Sequence, residues 1–237
     1  MINALPPKLS IIMPVYNERR TIAESIERVW KAPLDLPAEL VVVDDASTDG
    51  TRGVLETVAA QNAESIRLVV HVANRGKGAA IRTGLAHARG EIVLIQDADL
   101  EYDPRDYSRL LEPILEGQAD VVYGNRFHGG PHRVLYFWHY VGNRALTLLT
   151  NVVTGLNLSD MEVGYKVFRA DVLRRLTLKS DRFGFEPEVT VKVAKLGCRV
   201  YEVPIRYHGR TYEEGKKITW RDGLAAVFQI LRYRLVD

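Results

Sequence analysis

Five short apolar runs alternate with stretches of helical periodicity through the first 125 residues, and this alternation restricts the fold more than any other feature of the chain. The runs are Leu9–Met13, Glu39–Val43, Ile66–Val72, Glu91–Ile95 and Ala119–Tyr123. Between them, Ile22, Ile26, Val29 and Trp30 recur at helical spacing over Thr21–Trp30, and a second helix starts inside Asp44–Gly50 with Ser47 or Asp49 as its N-cap. A third helix is expected over Gly76–Ala88, and Pro104 suits the first turn of a fourth that runs to about Leu115. Strands joined by helices of this length require right-handed βαβ crossovers, hence an α/β fold with a mainly parallel sheet flanked by helices. The runs that are apolar on both faces, 41–43 and 92–95, belong in its middle. Pro14, lacking an N–H, is expected to stop the first strand. Ligands of open parallel sheets bind beyond the carboxyl ends of the strands. The clusters Tyr16–Glu18, Asp44–Asp49 and Gln96–Asp103 each follow a strand directly and should therefore converge on one edge.

The second half is less regular. Val134–Val153 reads as one or two helices with Trp138, Val141, Ala145, Leu148, Leu149 and Val152 on a common face. Trp220–Leu235 is amphipathic along Leu224, Val227, Phe228, Leu231 and Leu235. Each stripe has two readings: a face packed on the core, or one lying flat on an anionic membrane surface. Tyr165–Phe168 and Val200–Ile205 are strand candidates, and Glu188–Leu196 a helix. No repeat or linker divides the chain, so residues 1–237 are expected to form one domain. Thirty-two Lys+Arg against 30 Asp+Glu leave +2, too little for a basic field directed at nucleic acid. The lone Cys198 excludes an intrachain disulfide, no secretory leader is visible, and no uncharged apolar run approaches membrane-spanning length. The expected location is cytoplasmic, at most peripheral on the cytoplasmic membrane face.

The sharpest chemical signal is Gln96-Asp97-Ala98-Asp99-Leu100-Glu101, directly after a strand. Two carboxylates two residues apart can share a divalent cation with a diphosphate, because Mg²⁺ and Mn²⁺ prefer oxygen and usually take one or two carboxylates plus phosphate. Glu101 can add a third oxygen. A bare D-x-D also serves turns and helix caps, so the spacing alone does not decide. Asp44 and Asp45 could accept from a nucleobase N–H or a ribose hydroxyl, or simply build an Asx-turn. After Pro14, the aromatic ring of Tyr16 and the amide of Asn17 face the same edge. Asn74-Arg75-Gly76-Lys77-Gly78 opens a helix whose free N–H groups, with Lys77, favour a phosphate. It fits neither the P-loop nor the dinucleotide-binding fingerprint, since Ile81 occupies the third glycine position.

Leu9–Glu18, Asp44–Gly50, Asn74–Gly84 and Asp97–Glu101, in this order, resemble the nucleotide-sugar half of glycosyltransferase family 2. Val121–Phe127, Asp160–Phe168, Gly184–Glu188 and Val203–Tyr212 with Gly215–Lys217 resemble the branch of dolichyl-phosphate mannose synthases and bacterial polyprenyl-phosphate sugar transferases. The resemblance spans nearly the whole chain. It implies a GT-A (Rossmann-like) fold and inverting, divalent-metal-dependent transfer from GDP-mannose or a UDP-sugar to a polyprenyl or dolichyl phosphate. Residues 1–125 would hold the donor and 126–237 the acceptor. Pro14, Tyr16, Glu18 and Asp45 would meet the nucleoside, with Asn17, Asp44, Lys77 and Ala98 in the same donor site. Asp97, Asp99 and Glu101 would meet the metal, Arg210 and Lys217 the diphosphate, and Arg126 and Asn143 the acceptor phosphate. Asp97, Asp99, Arg126 and Arg210 are the expected catalytic set. Two positions depart from the pattern: Glu101 stands where mannose synthases commonly carry Gln, and Val163 where many relatives carry Ser.

A lipid monophosphate is already largely ionised at pH 7 and needs no general base, whereas a hydroxyl acceptor does. Asp160 is the candidate base in that second case, with a saccharide or small metabolite as acceptor. A third reading, from another class, is a peripheral protein that binds nucleotides without catalysis.

Overall fold

The computed structural model describes residues 6–129, 131–134, 136–211, 213–214 and 220–236, with the backbone alone at 220–222. Chain order runs β1 (Leu9–Val15), α1 (Ile22–Trp30), β2 (Ala38–Asp44), α2 (Thr51–Gln61), β3 (Ile66–Val70), α3 (Lys77–His87) and β4 (Ile92–Ile95). A 3₁₀ turn at Pro104–Asp106 then leads into α4 (Tyr107–Leu115), β5 (Val121–Asn125) and α5 (Phe137–Thr154). The chain continues through β6 (Lys166–Arg169), α6 (Ala170–Arg174), α7 (Phe185–Lys195), β7 (Val200–Pro204) and α8 (Trp220–Leu235).

The seven strands form one sheet in the order β3-β2-β1-β4-β6-β5-β7. β1 to β4 pair in parallel, as strands joined by helical crossovers must, while β6 runs antiparallel to both β4 and β5. Val41–Val43 and Val93–Ile95 are buried on both faces, as expected for the middle of a covered sheet. The strand order reverses at β1, with β2 and β3 on one side and β4 on the other, and this switch point opens at the carboxyl ends.

Two expectations need correction. β1 does not stop at Pro14 but runs through it to Val15, paired with β2 up to Val15↔Asp44. The Ile12 carbonyl accepts from Gln96 N–H, so residues of that parity face β4, whose pairing with β1 ends at Ile12↔Ile95. Pro14 therefore turns its missing donor toward a side where the ladder has finished. Ser47 is not the α2 cap either: Gly50 occupies that position, and Asp49 Oδ1 accepts from Thr51 N–H at 3.0 Å.

In α5 and α8, most of the apolar stripe faces outward. Trp138 is 77% exposed, Leu148 64% and Val152 77%, with Val141 and Ala145 also exposed, whereas Thr147 and Thr150 are buried. Leu149 alone of that stripe packs partly against the core. The reason lies in the polar residues of the inner face. Asn143, Thr147 and Asn151, spaced i, i+4, i+8, face the 158–161 loop. Asn143 Nδ2 donates to Asp160, Thr147 Oγ1 accepts from Met161 N–H, and Asn151 both donates to and accepts from the Leu158 backbone. In the adjacent α8, Leu224 and Phe228 are 62% and 63% exposed, while Ala226, Ile230 and Tyr233 are buried. Among the described residues, no helix is long and apolar enough to cross a membrane.

Candidate functional site

The loops leaving β1, β2 and β4 each contain one non-glycine residue in the left-handed region: Asn17 (φ 53°), Ala46 (φ 59°) and Leu100 (φ 64°). Such conformations cost of order 1 kcal/mol or more and persist where surrounding contacts impose them. Here the contacts are reciprocal. Asn17 N–H donates to Ser47 Oγ at 2.9 Å and its amide oxygen accepts from Thr48 N–H at 2.8 Å, so the first two loops lock together. Leu100 turns the chain between Asp99 and Glu101 so that both reach the same arginine.

That arginine is Arg210. Its Nη1 lies 3.1 Å from Glu18 Oε2, its Nη2 2.9 Å from Asp99 Oδ2, and its Nε 3.7 Å from Glu101. The Arg210 N–H also donates to Glu101 Oε1 at 2.7 Å, and Tyr207 Oη donates to the other oxygen. The buried Arg210 Nε–H has no hydrogen-bond acceptor. Burial, then the neighbouring Glu101 and Asp97 charges, push the Asp99 carboxyl up to about 7 despite Arg210. Asp97 has a second cation: Lys77 Nζ stands 2.8 Å from Asp97 Oδ1 and 2.8 Å from Glu186 Oε1. Burial opposes the Lys77 charge, but these two carboxylates outweigh it and raise its pKa. Beneath them, Gln96 Nε2 donates to the Asp97 carbonyl and its Oε1 accepts from Tyr107 and Tyr165. Gly164 leaves room for the Asp97 carboxylate; a Cβ there would stand 2.2 Å from Oδ2.

A cavity of about 1470 Å³ opens over this edge. Its lining includes Pro14, Tyr16, Glu18, Asp45 and Lys77, together with Asp97, Ala98, Asp99, Glu101 and Arg210. Arg126 and Asn143 also line it. Asn17 and Asp44 lie behind the wall, the first engaged with Ser47 and Thr48, the second buried and accepting from Ser47 N–H. Asp45 spends its carboxylate on His71 and on the N–H groups of Arg75 and Gly76, which fixes the turn into α3. The start of α3 is not open to a phosphate as expected, because Ala79 N–H donates to the Asp181 carbonyl and the 180–182 loop covers Gly76 and Gly78. Lys77 nonetheless reaches the cavity. Lys217 lies outside the described residues.

The Arg126 fork is held by Asp160, with Nε 2.7 Å and Nη2 2.6 Å from its two oxygens. Asp160 is fully buried and also accepts from Arg126 N–H and Asn143 Nδ2. The guanidinium lies over the Tyr207 and Phe127 rings at 5.2 and 5.4 Å. Burial works against the Arg126 charge, yet Asp160 keeps it secure. Asp160 engages Nε and Nη2, and a guanidinium edge of this kind is shaped to hold an anion in two contacts. The exposed apolar residues Val134, Phe137 and Trp138 also line the cavity.

Asp97, Asp99 and Glu101 suit a divalent cation in donor type, and the part of the upward push on Asp99 that comes, after burial, from Glu101 and Asp97 is repulsion that a cation would relieve. Among the described residues, no three His, Cys, Asp or Glu side chains already stand at ligand distance from a common point. All three are engaged by cations or donors of the chain, Asp97 by Lys77, Asp99 by Arg210, and Glu101 by Arg210 and Tyr207, so a bound cation would take the place of part of these contacts. Sequence reasoning gave no role to Glu162, Glu186, Gly164 or Gln96. The first three sit inside the Asp160–Phe168 and Gly184–Glu188 stretches, whose residue types alone state no chemistry.

A model of glycosyl transferase family 2 matches residues 10–177. An undecaprenyl-phosphate mannosyltransferase from Micrococcus luteus is 34% identical over 248 residues, covering 94% of this chain and 97% of that protein. The glycosyltransferase AglJ from Haloferax volcanii is 34% identical over 206 residues, covering 86% of this chain, which spans 64% of that protein's length. In structure, glucosyl-3-phosphoglycerate synthase from Mycobacterium tuberculosis, solved with Mn²⁺ and UDP-glucose, superposes with a TM-score of 0.72 over 96% of this chain and 79% of that one, at 23% identity. The fold is thus that of the GT-A enzymes.

Proposed function

The chain belongs to glycosyl transferase family 2, and on that premise we propose that it moves a sugar from a nucleotide sugar to a polyprenyl phosphate at a membrane surface. One observation carries this reading. The lining of one cavity combines crowded carboxylates at the sheet edge, the Arg126 fork, and exposed apolar residues at the start of α5. The donor would lie chiefly across residues 1–125, with Arg210 reaching its diphosphate, and the acceptor across 126–237.

Pro14, Tyr16 and Glu18 fit the nucleoside end of the cleft, with Asp45 shaping it. Asp97 and Asp99 would hold a divalent cation, Mg²⁺ or Mn²⁺, which when bound takes up negative charge on the departing nucleoside diphosphate. Lys77 and Arg210 are then free to donate to diphosphate oxygens, and the unpartnered Nε–H of Arg210 suits that task. Their aid grows as charge develops on the leaving group, so it lowers the barrier rather than merely tightening binding. Arg126 would grip the acceptor phosphate, aligned by Asp160, while the prenyl chain leaves over the outer faces of α5 and α8. Arg144, Arg232 and Arg234, exposed on those helices, suit anionic headgroups. An ionised phosphate oxygen attacks the anomeric carbon without a base. Asp160 fits this role better than that of a base for a hydroxyl acceptor, because it has no exposure and both of its oxygens are engaged.

The test is transfer of radiolabel from UDP- and GDP-sugars into organic-extractable lipid, with undecaprenyl phosphate and Mn²⁺ or excess chelator. The reading expects label in the lipid phase with metal and none with chelator. Full transfer in chelator, or no transfer from any donor, contradicts it.

A further inference from the structure

We propose that Tyr207 is a positioning residue common to both halves of the site, its hydroxyl orienting Glu101 for the cation and its ring face seating the Arg126 guanidinium for the acceptor phosphate. The inference rests on the reading above, with a metal-held nucleotide sugar as donor and a lipid phosphate as acceptor. Tyr207 lies just after β7, where its backbone bridges Tyr102 on one side and His132 on the other. The Tyr207 N–H donates to the Pro131 carbonyl at 3.1 Å, and the Arg133 N–H to the Tyr207 carbonyl at 2.9 Å. The next residue, His208, donates its N–H to the Glu101 carbonyl at 2.8 Å. On the preceding residue, the Arg206 N–H and Nη1 both donate to Asp106, each at 2.6 Å. The segment is thus tied at once to the turn that carries Glu101 and to the 131–133 stretch, and Tyr102, His132, Arg133 and Tyr207 all line the cavity.

The side chain uses its tip and its face for different partners. At the tip, the hydroxyl donates to Glu101 Oε2 at 3.0 Å, while Glu101 Oε1 accepts from the Arg210 N–H at 2.7 Å. A carboxylate oxygen can accept twice, so the hydroxyl can stay in place while Glu101 offers a remaining lone pair to a cation beside Asp97 and Asp99. Outer hydrogen bonds of this kind fix the orientation of a ligating carboxylate. At the face, the ring centroid lies 5.2 Å from Arg126 Cζ. Asp160 holds the guanidinium by Nε and Nη2, and the Tyr207 ring holds its plane. The ring is itself braced: it packs on Tyr102 with centroids 5.5 Å apart, and Tyr102 stacks on Tyr165 and accepts from the Gly164 N–H. Transfer requires the acceptor oxygen and the anomeric carbon at one fixed separation, and a misplacement of about 1 Å can cost on the order of 10²-fold. A residue that touches a carboxylate on the leaving-group side and the arginine on the nucleophile side sets that separation.

The experiment is calorimetric titration of the full chain with Mn²⁺, in the presence of whichever of UDP and GDP wild type binds, beside transfer kinetics to undecaprenyl phosphate in vesicles at saturating Mn²⁺. Tyr207→Phe keeps the ring and loses the hydroxyl. Its Kd for Mn²⁺ should rise about tenfold or more, while its KM for undecaprenyl phosphate stays within about twofold of wild type. Tyr207→Leu loses both, so Mn²⁺ should weaken equally and the acceptor KM should rise about fivefold or more. The inference is overturned if Tyr207→Phe binds Mn²⁺ as wild type does, if it raises the acceptor KM as much as Tyr207→Leu, or if Tyr207→Leu leaves that KM unchanged. Wild type that binds a nucleotide yet transfers nothing to undecaprenyl phosphate would contradict the acceptor reading and overturn the role of the ring. Wild type that binds neither nucleotide with Mn²⁺ would contradict the nucleotide-sugar reading itself, and this inference with it.

Discussion

α1 and α5 carry apolar stripes of the same helical period, yet one is buried and the other lies in the open. In α1, Ile22, Ile26 and Val29 are within 2% of full burial under the sheet. In α5, Trp138, Val141, Leu148 and Val152 point outward, and the face that packs inward combines Leu146, Leu149 and Val153 with Asn143, Thr147, Thr150 and Asn151. Periodicity declares that a face exists; what covers it is decided by the rest of the fold. In the donor half, the sheet covers it. In α5, polar side chains share the inner face to hold the loop that aligns Arg126, and most of the apolar stripe is left exposed.

The largest expected effect separates the two halves chemically. Asp99→Ala should lower turnover by about 10² to 10³-fold whatever the acceptor, since it removes the group that would hold the leaving diphosphate's cation. Polar substitutions on the outer face of α5 should lower only the reaction with membrane-borne acceptor. An Asp99→Ala enzyme with near-normal turnover would erase this division.

Stability should divide the helices next. Ile26→Ala leaves a cavity in the core and should cost about 3 kcal/mol in urea unfolding, whereas Leu148→Ala should stay within about 0.5 kcal/mol. Equal costs would mean that the α5 stripe is covered after all. The membrane reading is sharpened by pairing Trp138→Ser with Leu148→Ser, which should weaken co-sedimentation with anionic vesicles about tenfold or more. Unchanged sedimentation would assign that face another occupant.

The smallest effect is a pH slope. Burial, then the Glu186 charge, push the Glu162 carboxyl up to about 8 from its ordinary 4.5. Between those values the folded chain holds a proton that the unfolded chain has released, so this group's contribution is full below pH 4.5 and is lost as pH rises toward 8. Glu162→Gln cannot titrate, and its melting temperature should fall less than that of wild type between pH 5 and 8. Parallel curves would show that Glu162 is ionised throughout.

Much of the donor half was readable from local sequence. β1, β2 and β4 are apolar on both faces and end on acidic turns, so the convergence of Glu18, Asp45, Asp97 and Asp99 on one edge follows from the parallel sheet alone. The run of β1 through Pro14 was not readable, because it depends on where the neighbouring strand ends. Nor was the covering of the α3 start by the 180–182 loop, a contact across about a hundred residues. The direction of the α5 and α8 stripes stayed open between two readings, because hydrophobic period does not register what Asn143, Thr147 and Asn151 bind. Glu162 and Glu186 escaped for a related reason: what distinguishes them is an oxygen left without a partner, which only the three-dimensional arrangement reveals.

The central claim is that the sheet-edge carboxylates and the Arg126 fork serve one reaction, with a phosphate as acceptor. The most direct measurement offers the enzyme undecaprenyl phosphate and undecaprenol in matched vesicles, with one labelled nucleotide sugar and Mn²⁺. The account predicts labelled lipid from the phosphate alone, and its loss in Arg126→Ala with nucleotide binding retained. Equal labelling of the alcohol, or an Arg126→Ala enzyme that transfers normally, would contradict it.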